Sequence, residues 1–178
     1  MIAFLIVIVT IIATFGGYLI TYVHGSLKRE HEFYEDLINE KKRKFLSFKE
    51  SIHKADLPII TLNFFDKEYG FILDSGANYN YIDTRVLEEL QQFHNIVLSE
   101  GVSITGSTGN HIDSIACNLF FTCNGEIFSE EFNAADMAEG FDSVTQECDI
   151  IVHGVLGNQF FQKYKWMLDF DDLVIWIK

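Results

Sequence analysis

The sequence predicts a mostly β-stranded single domain behind an apolar N-terminal segment, and three observations lead there. From Ile60 onward apolar residues alternate with others or form short runs bounded by turn residues; Asn124-Gly125 marks a tight hairpin; and the helical period surfaces only briefly. The 178 residues suffice for one ordinary domain, and 48% hydrophobic content with 17 Phe can fill its core.

Met1 to Val23 carries no charged side chain. As a helix rising ~1.5 Å per residue it would be about 34 Å long, enough to cross a bilayer. Residues 1–23 are therefore expected to form a single transmembrane anchor in contact with lipid. The competing reading, a cleavable signal peptide, fits less well because no basic region precedes the span and the apolar run is long. Six basic residues follow it (Lys28, Arg29, Lys41, Lys42, Arg43, Lys44) and none precedes it, so the positive-inside tendency places the domain on the cytoplasmic face.

Residues 24–56 are expected to form a helical stalk. In this charged stretch Tyr34, Ile38, Lys41, Phe45, Phe48 and Ile52 fall at alternating four- and three-residue spacing, the pattern of an amphipathic helix. Such a helix could pair with a second copy along a heptad seam, lie on a membrane surface, or pack on its own domain.

Residues 57–178 hold the domain. Ile60, Leu62 and Phe64 alternate as a strand, and Tyr69 to Leu73 forms a second apolar run ending at Asp74. Asp83 or Thr84 caps a short helix through Gln92, with Val86, Leu87 and Leu90 on one face. Strands are expected over Val97 to Thr105 and His111 to Thr122, and Asn124-Gly125 leads into another over Glu126 to Phe132. Ala134 to Glu147 reads as a loop, Asp149 to His153 as a buried strand, and Asn158 to Tyr164 as a short helix. Trp166 to Phe170 pairs with Leu173 to Ile177 across Asp171-Asp172.

The formal charge of −13 is concentrated in the domain: from Ala55 onward there are five Lys or Arg against twenty Asp or Glu. That balance repels phosphate backbones, so nucleic acid is not an expected partner. Cys117, Cys123 and Cys148 are expected as free thiols. No His or Cys stands at zinc-ligand spacing beside them, so no metal site is predicted. The six histidines are scattered, without a nucleophile or metal arrangement to recruit them.

Asp74-Ser75-Gly76 alone reads as a turn. Its surroundings sharpen it: it follows the apolar run Phe71-Ile72-Leu73 and continues into Ala77, and much later come Val155-Leu156-Gly157, a short helix, and Met167-Leu168-Asp169-Phe170. Over Leu57 to Lys178 the chain resembles the retropepsin-like family of single-domain aspartic proteases. The shared pattern is an apolar strand, Asp-Thr/Ser-Gly-Ala, and then apolar-apolar-Gly before a short helix and a closing strand.

The resemblance implies an all-β, retropepsin-like closed barrel with one or two short helices, acting on polypeptides without metal or organic cofactor. It implies Asp74 as the catalytic carboxylate, Ser75, Gly76 and Ala77 as its supporting loop, and Val155-Leu156-Gly157 as a structural strand beside it. It places a flap over substrate at Ile104, Thr105, Gly106, Ser107, Thr108 and Gly109. By this chemistry an ionised carboxylate draws a proton from water while a protonated one donates to the substrate carbonyl, so two are needed. The chain has one Asp-Ser/Thr-Gly, so the second Asp74 must come from another copy in a homodimer. A non-catalytic dimerisation module of the same fold is the alternative.

Overall fold

A computed structural model describes residues 17, 18, 20–29, 31, 32, 35, 44–105 and 111–177. The chain divides into two compact units, Met1–Lys44 and Phe45–Lys178. In the first, residues 17, 18 and 20–29 are helical, and Lys28 and Glu32 form an exposed ion pair of 3.5 Å one turn apart. Among the described residues no helix is long and apolar enough to cross a membrane. Most of the segment expected to do so, residues 1–16 and 19, lies outside them.

The second unit begins where the sequence pattern suggested continuing helix. Instead, Lys44–Ser47 is a strand (β1), and helix α1 covers only Lys49–Ala55. The domain itself claims the later half of the apolar seam, Phe45, Phe48 and Ile52; Tyr34, Ile38 and Lys41 lie outside the described residues. Phe48 is buried and its N–H donates to Leu173 O at 3.0 Å, Phe45 meets Trp176 edge-on at 5.4 Å, and Ile52 packs against the core. Burying aromatic side chains in a formed core, at ~1.5–3 kcal/mol each, outweighs a helical preference of a few tenths of a kcal/mol per residue.

Strands β2 (Ile59–Phe64) and β3 (Lys67–Leu73) form a hairpin in which Ile60, Leu62, Phe64, Tyr69, Phe71 and Leu73 are buried. β4 (Tyr81–Asp83) leads into α2 (Thr84–Gln91), capped as expected by the Asp83 carboxylate, which accepts from Arg85 N–H. β5 (Leu98–Glu100), β6 (Ile104–Thr105) and β7 (His111–Ile112) follow, β6 and β7 pairing as a hairpin whose tip, residues 106–110, lies outside the described residues. A long hairpin joins β8 (Ile115–Cys123) to β9 (Glu126–Ala135) through Asn124 and Gly125. Both turn residues have positive φ, 50° and 76°, the conformation for which Asn-Gly is suited.

Two expectations fail in the next stretch. Ala138–Cys148, expected as loop, is helix α3, and residues 149–153, expected as a strand, are loop; the strand, β10, comes next at Gly154–Leu156. Gly140, Val144 and Thr145 weaken the helical signal, and only Phe141 is fully buried. The helix is fixed by Phe141 and Val144, which pack in one cluster with Ile59, Val152 and Val155, and by Asp136, whose carboxylate accepts from Ala138 N–H at 3.2 Å. Helix α4 (Asn158–Tyr164) and the antiparallel pair β11 (Met167–Asp169) and β12 (Val174–Ile177) complete the chain.

The main sheet runs β2-β3-β10-β4-β9-β8, and β8 pairs back onto β2 at Asn63–Thr122, closing a six-stranded barrel with β5 attached to β8. β1, β12 and β11 form a separate sheet in that order. The core is aromatic: Phe64 has Tyr69, Phe71, Phe121 and Phe132 around it at 5.4–5.8 Å between ring centres. The architecture is mostly β with a few helices, as the sequence predicts.

Candidate active site

Asp74 stands where β3 leaves the barrel wall. Leu73 is buried and its N–H donates to Pro58 O at 2.8 Å, whereas Asp74, Ser75 and Gly76 are exposed. The parallel pairing of β10 with β3 puts Leu156 beside Leu73, and Asp74 N–H donates to Leu156 O at 3.0 Å. The Gly76 N–H donates to Asp74 Oδ1 at 2.8 Å, and a Cβ on Gly76 would lie 3.1 Å from that oxygen. A carboxylate so held is oriented by its own backbone and open on its other side.

The loop is tied down further along. Ala77 O accepts from Asn158 N–H at 2.7 Å, and Asn78 O from Gln159 N–H at 3.4 Å. Gly157 is where the two motifs meet: a Cβ there would lie 2.1 Å from Tyr79 O and 2.9 Å from Ala77 O, so no side chain fits. The structure thus brings Asp74, Ser75, Gly76 and Ala77 against Val155, Leu156 and Gly157. Ile104 and Thr105 form β6 of the hairpin; Gly106, Ser107, Thr108 and Gly109 lie outside the described residues.

Sequence reasoning missed Asn80. Its side chain is 4% exposed; its Oδ1 accepts from Gly157 N–H at 3.0 Å and its Nδ2 donates to Glu131 O at 3.2 Å. Its own carbonyl accepts from Asn133 N–H at 2.9 Å. One amide therefore bolts β10 to β9 across the start of β4. In sequence, Asn78-Tyr79-Asn80 looks like any polar turn, and nothing singles out the second Asn. At the root of the β6–β7 hairpin, Ser114 Oγ donates to Val102 O at 2.6 Å and Val102 N–H to Asn133 Oδ1 at 3.1 Å. This breaks the strand expected through Val97 to Thr105.

The other titratable groups have structural surroundings. Asp83, 1% exposed, takes Arg85 Nε at 2.9 Å and Nη2 at 3.1 Å, and these bonds, with one to Asp142, hold the guanidinium pKa above its ordinary value. His153 Nδ1 accepts from Gly70 N–H at 2.9 Å, and its ring meets Tyr69 edge-on at 5.0 Å. Burial lowers the His153 pKa, and the nearby Lys67 ammonium pushes the same way. Burial raises Cys117 to about 11 and Cys123 to about 12, aided by the charges of Glu131 and Glu126 respectively. Among the described residues no group of His, Cys, Asp and Glu is arranged to hold a metal ion.

No family model matches the chain, and no curated protein matches it. Solved structures do. EIAV protease complexed with the inhibitor HBY-793 is similar at 17% identity and a TM-score of 0.44, covering 60% of this chain and 86% of that one. The retroviral protease-like domain of Ddi1 from Leishmania major is similar at 14% identity and a TM-score of 0.43, covering 65% and 82%. A retropepsin-like aspartic protease from Rickettsia conorii is similar at 12% identity and a TM-score of 0.44, covering 75% and 88%.

Proposed function

We propose that the chain is an aspartic endopeptidase that hydrolyses peptide bonds with two Asp74 carboxylates, one from each subunit of a homodimer. The observation that carries this reading is the holding of Asp74: exposed, at the end of a buried strand, with one oxygen fixed by Gly76 N–H. Two such carboxylates about 3 Å apart cannot both ionise easily, so they share a proton. The ionised member takes a proton from water as the water oxygen bonds to the peptide carbon, and the protonated member gives its proton to the carbonyl oxygen. Collapse of the tetrahedral species breaks the C–N bond: the amine nitrogen takes the proton that the first carboxylate drew from water, and a hydroxyl of the tetrahedral carbon returns a proton to the second, which restores the pair. Ser75 would bond across the dimer beneath the pair, and the β6–β7 hairpin would close over substrate.

In this reading residues 1–23 hold the chain in a bilayer, with the domain on the cytoplasmic face. Support comes from the uncharged stretch and the six basic residues after it. Confinement to one membrane would raise the effective concentration of the half-sites.

Peptide hydrolysis measured over a dilution series of the full chain tests the shared site. Specific activity should rise with concentration, and excess Asp74→Asn chains should suppress it, because each mixed dimer keeps one carboxylate. Turnover per chain that is independent of dilution and untouched by the variant would overturn the proposal. Dimers that cleave nothing would favour a non-catalytic module.

A further inference from the structure

We propose that the groove between β7 and the β9–α3 corner receives a Lys or Arg side chain of an extended polypeptide substrate, an assignment that rests on the peptidase reading above. The groove encloses about 490 Å³ between Ile112 on one side and residues 136–141 on the other. Met137 and Phe141 of its lining pack in the same apolar cluster as Ala77, of the Asp74 loop, and Val155, of the strand beside it. The packing that seats the Asp74 loop thus also forms the apolar wall of this groove.

The lining has two chemistries. Met137, Phe141 and the partly exposed Ile112 offer apolar surface, while Asp136 and Glu139 are exposed at the groove with no cation among its described lining residues. Asp136 is fixed in place by its bond from Ala138 N–H, and at Gly140 a Cβ would meet nothing within 4 Å, so that side is open. A long basic side chain matches both: its methylene stem covers apolar surface and its charged head reaches the carboxylates. An acidic side chain would meet two like charges instead, which gives rejection as well as attraction. The domain's wider field, twenty acidic residues against five basic ones after Lys54, draws basic segments in the same direction.

The test uses the full chain and a panel of peptides made uncleavable by a statine unit, each carrying Lys, norleucine or Glu at one position in turn. Fluorescence anisotropy should find one position where Lys binds about tenfold tighter than norleucine and Glu binds more weakly still, with the preference shrinking in high salt. Glu139→Lys, an exposed change, should invert the order so that Glu exceeds Lys at that position. In the Asp136→Asn/Glu139→Gln double variant, where the Asn oxygen can still accept from Ala138 N–H, the Lys-to-norleucine ratio should fall toward one. A wild type indifferent to charge at every position, or a preference surviving both variants, overturns the assignment. Selective binding without cleavage of ordinary peptides would leave the groove standing and remove the peptidase reading; cleavage without charge preference would do the reverse. Absence of peptide binding would end both.

Discussion

Asp74 and Asp83 stand nine residues apart at the ends of β3 and β4, the strands on either side of β10, and their surroundings are opposite. Asp83 is buried, caps α2, and is gripped by the Nε–Nη2 edge of the Arg85 guanidinium. Asp74 is exposed and holds one bond from its own loop's backbone, at Gly76 N–H. A carboxylate whose oxygens are taken up by a cap and a cation has a structural assignment; one aimed by backbone and left open can serve chemistry. The same residue type is thus sorted by how its lone pairs are used.

Exchanging the two charges probes this contrast most directly. Asp74→Asn should lower peptide hydrolysis by at least about 100-fold, since it removes the proton acceptor, while changing unfolding free energy by less than about 0.5 kcal/mol. Asp83→Ala should do the opposite, costing about 1–2 kcal/mol by uncapping α2, while the half-exposed Arg85 keeps Asp142 as a partner. Denaturant titrations and peptide assays on both variants decide between these outcomes. Equal losses of stability would erase the contrast.

Gly157→Ala should cost about 3–4 kcal/mol, because the added carbon has backbone oxygens of Tyr79 and Ala77 to displace. Denaturant unfolding would measure it, and a neutral result would mean that the loop yields easily.

His153, at the Asp83 end, gives a smaller and pH-dependent effect. Its folded pKa lies below the ordinary value of 6.5, so its contribution is present above that value and is lost as pH falls through the lowered one. Protonation also takes away the acceptor for Gly70 N–H. Lys67 and Arg85 oppose the imidazolium, and Glu89 and Asp83 favour it, without reversing the direction. His153→Asn, whose side-chain oxygen can replace Nδ1, should lack the loss of stability that wild type shows below about pH 6.5. Parallel acid titrations would show the two curves separating; overlapping curves would exclude His153 as the source.

The smallest effects belong to groups given no chemical part. EDTA should leave hydrolysis unchanged. With Cys117 and Cys123 buried and held to about 11 and 12, iodoacetamide at pH 8 should label the partly exposed Cys148 first. Mass spectrometry of the labelled chain checks the order.

Much of this was legible because several strands have one apolar face and Asn124-Gly125 permits a single kind of turn. The spacing of Asp74 to Ala77 and Val155 to Gly157 carried the juxtaposition of two segments about eighty residues apart. Less was legible where tertiary contacts override local pattern. Phe45, Phe48 and Ile52 keep a helical spacing, yet the domain recruits them into β1, the cap of α1 and the core. Phe141 and Val144 are too few to announce α3, and Asn80 acquires its importance only when Gly157 arrives beside it.

The strand β1 has a consequence for how the chain comes into being. It lies against β12, and Ser47 has Leu173, 126 positions away, as a hydrogen-bond partner. Closing so long a loop is entropically costly, and topologies dominated by distant partners fold slowly. On a ribosome, β1 must wait until the residues through β12 have been synthesised and have cleared the exit tunnel before its partner is free. A truncation within β12 would therefore disable the beginning of the domain as surely as the strand it removes.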